Sequence, residues 1–317
     1  MKAIVLRHPG GPTALSYEEV PMPEVKDGWT LLKVKGFGIN RSEIFTRNGW
    51  SPTVKLPRIL GIECVGEVVK TTDPDRLQKG EMVIATMGGM GRDFDGSYAE
   101  YALLPNKRIF TVQTSLDISK LAAVPETYGT AFGSLPKLKL GDAHSLLVRG
   151  ATSGVGVAAA KLAKAMVPSI KLVGSTRHLE KTDELKSAGF DEVVLDKDNR
   201  IDTNGEKYDR LLELVGPLTL PNSMMAVKED GIACITGELG GVWDLTHWEP
   251  IYGLHGAYLT SFSSGALNQS TFDQLFDLIK RGSIDVAPTK TFDLKHTADA
   301  QAYLDSHDSF GKVIVLP

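Results

Sequence analysis

The stretch 146–166, LLVRGATSGVGVAAAKLAKAM, limits what this 317-residue chain can fold into more than any other. An apolar run ends in small residues. Val155, Ala159, Leu162, Ala163 and Met166 then recur at helical spacing. A strand that turns this sharply into a helix needs glycine. One glycine makes the turn, one lets backbone approach a pyrophosphate, and a third small residue lets helix and strand pack. Gly154, Gly156 and Ala159 fit that G-x-G-x-x-A form. The helix N-terminus would then face the negative phosphates, with Gly150, Ser153 and Val155 in the same cradle. A lone glycine triplet also marks ordinary tight turns. Its company argues for a nucleotide site: IKLVGS, EVVLD, YDRLLELVG and GIACITG read as further buried strands, and LEKTDELKSAG as a helix ending on Gly189. Such alternation implies an α/β fold, a parallel sheet with helices on both faces.

The end of the second strand selects the cofactor. NAD sites usually carry an Asp or Glu there for the ribose 2′-hydroxyl. Here the chain reads GSTR, with Ser175, Arg177 and, one turn later, Lys181. Cationic donors suit a 2′-phosphate, so NADPH is expected. The bland alternative makes Arg177 and Lys181 solvated charges at a helix start. Asp196, after the third strand, would repel that phosphate if it pointed inward.

The first third has a different texture. AIVLR, WTLLKVKGFGI, GIECVGEVVK, MVIATM and YAEYALL are short strand candidates punctuated by Gly and Pro, which suggests a β-barrel-type domain. A second glycine cluster, Gly88, Gly89 and Gly91, precedes strand-like sequence and not a helix. Two readings stay open, a mobile loop over the substrate cleft and an ordinary surface loop. Phe272, Leu275, Phe276 and Ile279 mark one helix face closed by Gly282, and GKVIVLP is a terminal strand that returns to the first domain. The length asks for two domains. The expected boundaries are 1–120 for the barrel-type domain, 121–256 for the nucleotide-binding domain, and 257–317 for its edge and the return.

A net charge of −4 argues against nucleic acid as a main partner. No apolar run is long enough to span a membrane, and the start is too short for a signal peptide. Cys64 and Cys234, both in apolar strand contexts, read as buried thiols of a cytoplasmic protein.

GFGINRSEIFTRNG (36–49), LPRILGIECVGEV (56–68), GSYAEYALLP (96–105), ETYGTAF (126–132), RGATSGVG (149–156), GELGG and the closing GKVIVLP together resemble the zinc-independent, crystallin-like quinone oxidoreductases of the medium-chain dehydrogenase/reductase superfamily. The resemblance runs over nearly the whole chain. It implies a GroES-like catalytic domain made from both chain ends, a Rossmann domain between them, and a homodimer joined through Rossmann edges, with Ala257–Phe262 as the candidate edge strand. It also implies hydride transfer from NADPH to a quinone or conjugated enone. Zinc members carry Cys where this chain has Asn40, and Gly-His-Glu where it has Gly61, Ile62 and Glu63. Asparagine and isoleucine are not zinc ligands, so no metal is expected. Asn40 takes the family's cleft asparagine position, and Thr130 matches the threonine near the nicotinamide. Tyr98 and Tyr128 are further candidate donors, each with a packed-aromatic alternative. Val215, Gly237 and Lys312 complete the implied cofactor contacts. Two other readings stay open: reduction of 2-alkenals or other carbonyls, and a weakly catalytic NADPH-binding sensor or structural protein.

Overall fold

The computed structural model describes residues 1–317. The chain divides into two units. One comprises Met1–Thr127, Asn268–Phe276 and Asp285–Pro317, the other Tyr128–Leu267 and Asp277–Ile284. Two of the divisions, after Thr127 and after Phe276, fall within the helices Pro125–Ser134 and Gln269–Arg281; the others follow Leu267 and Ile284.

The first unit is mostly antiparallel. Its larger sheet runs, in order, Lys290–Asp293, Val313–Leu316, Trp29–Gly38, Glu63–Thr71, Met82–Thr86 and Ile109–Thr111, with Tyr101–Pro105 also on Trp29–Gly38. Two register shifts between Trp29–Gly38 and Glu63–Thr71 mark bulges, which bend the sheet as a closing sheet requires. A smaller sheet joins Leu15–Glu19, Lys2–Leu6 and Arg58–Ile59. Alternating residues of these strands form one core with Val313, Val315, Leu294 and Ala300, so the terminal strand does return to this unit. Each fully buried aliphatic side chain there contributes about 1.5–3 kcal/mol relative to leaving it exposed.

The second unit is a seven-stranded sheet in the order Arg200–Ile201, Glu192–Lys197, Lys171–Thr176, Ser145–Arg149, Tyr208–Glu213, Val227–Ile235, Tyr258–Ser261. All neighbours are parallel except the short Arg200–Ile201. Strand order reverses at Ser145–Arg149, which lies between the second strand and Tyr208–Glu213. The crevice at such a reversal, beyond the carboxyl ends of the strands, is where open α/β sheets take ligands. Ser145–Arg149 is buried throughout, as a strand covered on both faces must be. The helix Gly154–Met166 follows it directly and buries Val157, Ala158, Leu162 and Ala163. No helix is long and apolar enough to cross a membrane.

Candidate active site

In the second unit the glycine turn sits at the strand-order reversal. Gly150 has a φ of +82°, a conformation that favours glycine. Ser153 caps the helix: its hydroxyl donates to the Gly150 carbonyl at 2.8 Å and accepts from the Gly156 amide at 3.1 Å. The amides of Gly154 and Val155, in the first turn, have no intrahelical acceptor and face outward along the helix dipole, as an anion cradle requires. Gly156 is restricted by its own turn. A Cβ there would lie 2.6 Å from the Ala151 carbonyl oxygen and 2.7 Å from that of Gly150. Val215 and Gly237 lie at the ends of the two adjoining strands. A Cβ on Gly237 would meet the Leu214 carbonyl oxygen at 2.3 Å, so close strand packing already demands glycine there.

Below the turn lies a charged cluster that sequence reasoning passed over. Arg149 is wholly buried. Its guanidinium donates to both Asp196 oxygens, each at 2.7 Å, and to Ser223 Oγ (2.8 Å), Asn222 Oδ1 and the Thr219 carbonyl. Glu213, also buried, accepts from the Val215 and Gly216 amides and from the hydroxyls of Thr219 and Ser223. Burial pushes its carboxyl above the ordinary range, against the pull of Arg149. Asp196 therefore spends its charge on Arg149. The repulsion feared from an unpaired acid is absent. The readable signal was an arginine inside the apolar run SLLVRG.

At the end of the second strand, Ser175 is turned inward. Its hydroxyl accepts from the Gly150 amide at 3.3 Å and contacts Asp196, so it braces the turn. Arg177 is exposed and has no carboxylate partner, and Lys181 follows in the next turn.

The first unit holds a second cluster. Lys312, at 6% exposure, donates to Glu63 Oε1 at 2.5 Å and to Asn40 Oδ1 at 2.7 Å. Asn40 Nδ2 donates to the same Glu63 oxygen at 2.9 Å and more weakly to Glu43 at 3.4 Å. The other Glu63 oxygen accepts from the Glu126 amide at 2.7 Å. Gly38 makes room for the pair, since a Cβ there would lie 2.2 Å from Glu63 Oε1 and 2.3 Å from Lys312 Nζ. Asn40 is the N-cap of the helix Arg41–Arg47, and Glu43 reaches back to its amide at 3.1 Å. Burial pushes the Glu43 carboxyl up to about 7, while its amide donors and the Lys312 charge pull it down. The Asn40 amide hydrogens are thus engaged inside the unit, and the Lys312 ammonium has its acceptors there too.

The remaining candidates separate. Tyr98 is wholly buried, stacked on Phe37 at 4.8 Å, with its hydroxyl accepting from Gln301, so it is a core aromatic. Tyr128 and Thr130 are buried residues of the second unit. The Thr130 carbonyl accepts from Ser134, whose hydroxyl meets that of Thr236 at 3.0 Å. The Gly88–Gly91 segment is anchored at both ends. Met87 N donates to Ile62 O, Gly96 N to Ile59 O and Ser97 N to Gly61 O. Cβ atoms on Gly91 and Gly96 would each strike the Gly61 backbone. Gly91 and Gly96 thus serve backbone packing, whereas Cβ atoms on Gly88 and Gly89 would meet the Arg108 and Asp93 side chains.

A zinc site does not fit these residues. No group of three or more His, Cys, Asp or Glu is arranged to hold a metal. The two positions compared with zinc ligands carry an amide and a buried isoleucine, and the adjacent Glu63 is paired with an ammonium.

Comparison with known proteins now decides the family. The alcohol dehydrogenase GroES-like domain matches residues 26–114, and the zinc-binding dehydrogenase domain matches residues 188–315. A quinone oxidoreductase of Lama guanicoe is 31% identical over 76% of this chain and 74% of its own. The chain belongs to the medium-chain dehydrogenase/reductase superfamily, in its quinone oxidoreductase branch. It is an oxidoreductase with a GroES-like domain and a Rossmann-type sheet. An NADPH-dependent alkenal/one oxidoreductase of Arabidopsis thaliana is 27% identical over 100% of this chain and 80% of its own. An NAD-dependent alcohol dehydrogenase of Sulfurisphaera tokodaii is 25% identical over 100% of both. Two of these relatives carry a nicotinamide cofactor in their names, NADPH in one and NAD in the other.

Proposed function

We propose that this superfamily member is a metal-independent reductase that uses NADPH to reduce a quinone or a conjugated enone. The observation that carries the reading is the charge at the 2′-position of the nucleotide site. Arg177 stands exposed and without a carboxylate partner where NAD sites carry an acid; of the acids around it, Asp196 is held by Arg149 and Glu180 faces His178. A 2′-phosphate would meet a free guanidinium.

When bound, the cofactor supplies the hydride. The chain's residues do the rest. The Gly154 and Val155 amides bind the pyrophosphate, Ser153 and Ser175 hold the turn in shape, and Arg177 with Lys181 receives the 2′-phosphate. Thr130, fixed through Ser134 and Thr236, flanks the nicotinamide. As hydride arrives, charge grows on the substrate oxygen and needs a preorganised donor. Asn40 is a poor one, because its hydrogens already serve Glu63 and Glu43. Its part is to shape the wall. The proton comes from water.

A reductase of 2-alkenals is the second reading, favoured by the Arabidopsis relative's name. The open sheet edge Tyr258–Ser261, with exposed Tyr258, Ile251 and Tyr252 beside it in sequence, suits pairing with a second copy, as in a homodimer of Rossmann edges. The test of the activity is NADPH oxidation against quinones, alkenals, aldehydes and alcohols, with and without chelator. Chelator-resistant turnover on quinones or enones is expected. Turnover only on alcohols with NAD, abolished by chelator, would overturn the proposal.

A further inference from the structure

The first unit contains seven arginines, and five of them pair with carboxylates: Arg7 with Glu18, Arg41 and Arg47 with Asp305, Arg58 with Asp95, Arg76 with Asp73. Arg108 donates to the Thr86 carbonyl. Arg92 differs. Its one side-chain partner is a neutral hydroxyl, Ser42 Oγ, at 2.5 Å; its Nε, like those of Arg58 and Arg108, is buried without an acceptor. The acids beside it in sequence do not serve it. Asp95 is committed to Arg58, and Asp93 turns back over Gly89.

The position of this cation is built with care. It projects from the glycine segment that Gly91 and Gly96 clamp to the Gly61 backbone. The Gly89 carbonyl accepts from the amides of both Arg92 and Asp93, which fixes the base of the side chain. Its guanidinium end is then held by Ser42, two residues from Asn40 on the helix Arg41–Arg47. The guanidinium is half-buried and meets no counter-charge in this unit. A ligand carboxylate or phosphate would supply the missing charge, through the N–H groups at the end of the fork that Ser42 does not use.

Resting on the reductase reading above, we infer that Arg92 is a specificity residue and that the substrate is an enone or quinone bearing an anionic oxygen group, a carboxylate or a phosphate. The Ser42 contact orients the guanidinium. The anion docks on it, and the conjugated acceptor is thereby presented beside Asn40.

The test uses one carbon skeleton in two charge states, 4-oxopent-2-enoate and its methyl ester. Hydride adds to the alkene carbon β to the ketone, and the electron pair moves onto the ketone oxygen. Water returns the proton, giving the saturated ketone and NADP. For the unaltered chain, kcat/KM on the acid should exceed that on the ester by about tenfold or more, which is the factor a single charge-assisted contact supplies. Arg92→Gln should remove that preference, chiefly through KM, and leave the ester nearly unchanged. Arg92→Lys should restore part of it. Melting temperatures control for folding. A preference for the ester in the unaltered chain, or equal losses on both substrates in Arg92→Gln, would overturn the assignment. Binding of the saturated anion 4-oxopentanoate, followed by ligand-observed NMR, separates this inference from the activity. Arg92-dependent binding without turnover on either substrate would keep the anion site and sink the reductase reading. Binding indifferent to Arg92 would sink the inference whatever the turnover.

Discussion

In each unit a buried cation stands among two carboxyl groups, and the two clusters are built differently. In the second unit Arg149 meets Asp196 with a two-toothed fork and spends its remaining N–H group on Ser223, Asn222 and Thr219, while Glu213 is satisfied by amides and hydroxyls. The rigid fork ties the carboxyl end of Ser145–Arg149 to that of Glu192–Lys197, across Lys171–Thr176, beneath the glycine turn. In the first unit Lys312 is a point charge shared between Glu63 and Asn40, and it ties the end of the chain to its beginning. Glu43, left beyond its direct reach, titrates at about 7. The arginine cluster is a fixed scaffold for a nucleotide turn. The lysine cluster is a joint closed by long-range return of the chain, and it carries a proton that comes and goes near neutrality.

The strongest way to break this contrast is Arg149→Met. It strands Asp196 and Glu213 in a dry interior, so a loss of about 3–5 kcal/mol in denaturant unfolding is expected. Arg149→Lys should recover only part, because a point charge cannot fill a bidentate site. Full recovery would mean that the fork geometry is unimportant.

Lys312→Met should cost the lower half of that range, about 3 kcal/mol, since Glu63 keeps the Asn40 and Glu126 donors. Adding Glu63→Gln should return some of the loss. This variant also separates the resemblance-based role of Lys312 from the observed one. A fall in NADPH affinity with unchanged stability would make it a cofactor contact.

Glu43→Gln sharpens the contrast through pH. The Glu43 carboxyl stands at about 7 in the folded chain, against an ordinary 4.5. Between those values the folded state holds a proton that the unfolded state has released. The contribution of Glu43 is therefore complete below about pH 4.5 and is lost as pH rises toward 7. The loss is at most about 3 kcal/mol by linkage. Unfolding curves at mildly acidic and mildly alkaline pH should converge for the variant relative to the unaltered chain. Parallel pH dependence in both would place the titration elsewhere.

The sequence showed the second unit more clearly than the first, for a physical reason. Glycine turns, strand–helix alternation and the Arg177 position are local patterns, readable within about thirty residues. Gly154–Met166 and the edge strand Tyr258–Ser261 fell where periodicity put them. The Lys312–Glu63 joint spans 249 residues of chain, and nothing local announces it. The close approach that Gly91 makes is to Gly61, thirty residues away, and no local pattern announces it. Asn40 was singled out as a cleft polar group, and its hydrogens go to partners that only the fold brings near. Arg149 was the missed signal that local reading could have caught, a charge in a strand otherwise made of Leu and Val.

The smallest expected effect bears on the central claim, that the second unit is built for a 2′-phosphate. Dissociation constants for NADPH and NADH, measured side by side by titration calorimetry on the unaltered chain and on Arg177→Ala, test it most directly. NADPH should bind at least about tenfold tighter than NADH, and Arg177→Ala should close most of that gap, about 1.4 kcal/mol, by weakening NADPH alone. Equal affinities in the unaltered chain, or a loss shared by both cofactors in the variant, would contradict the account.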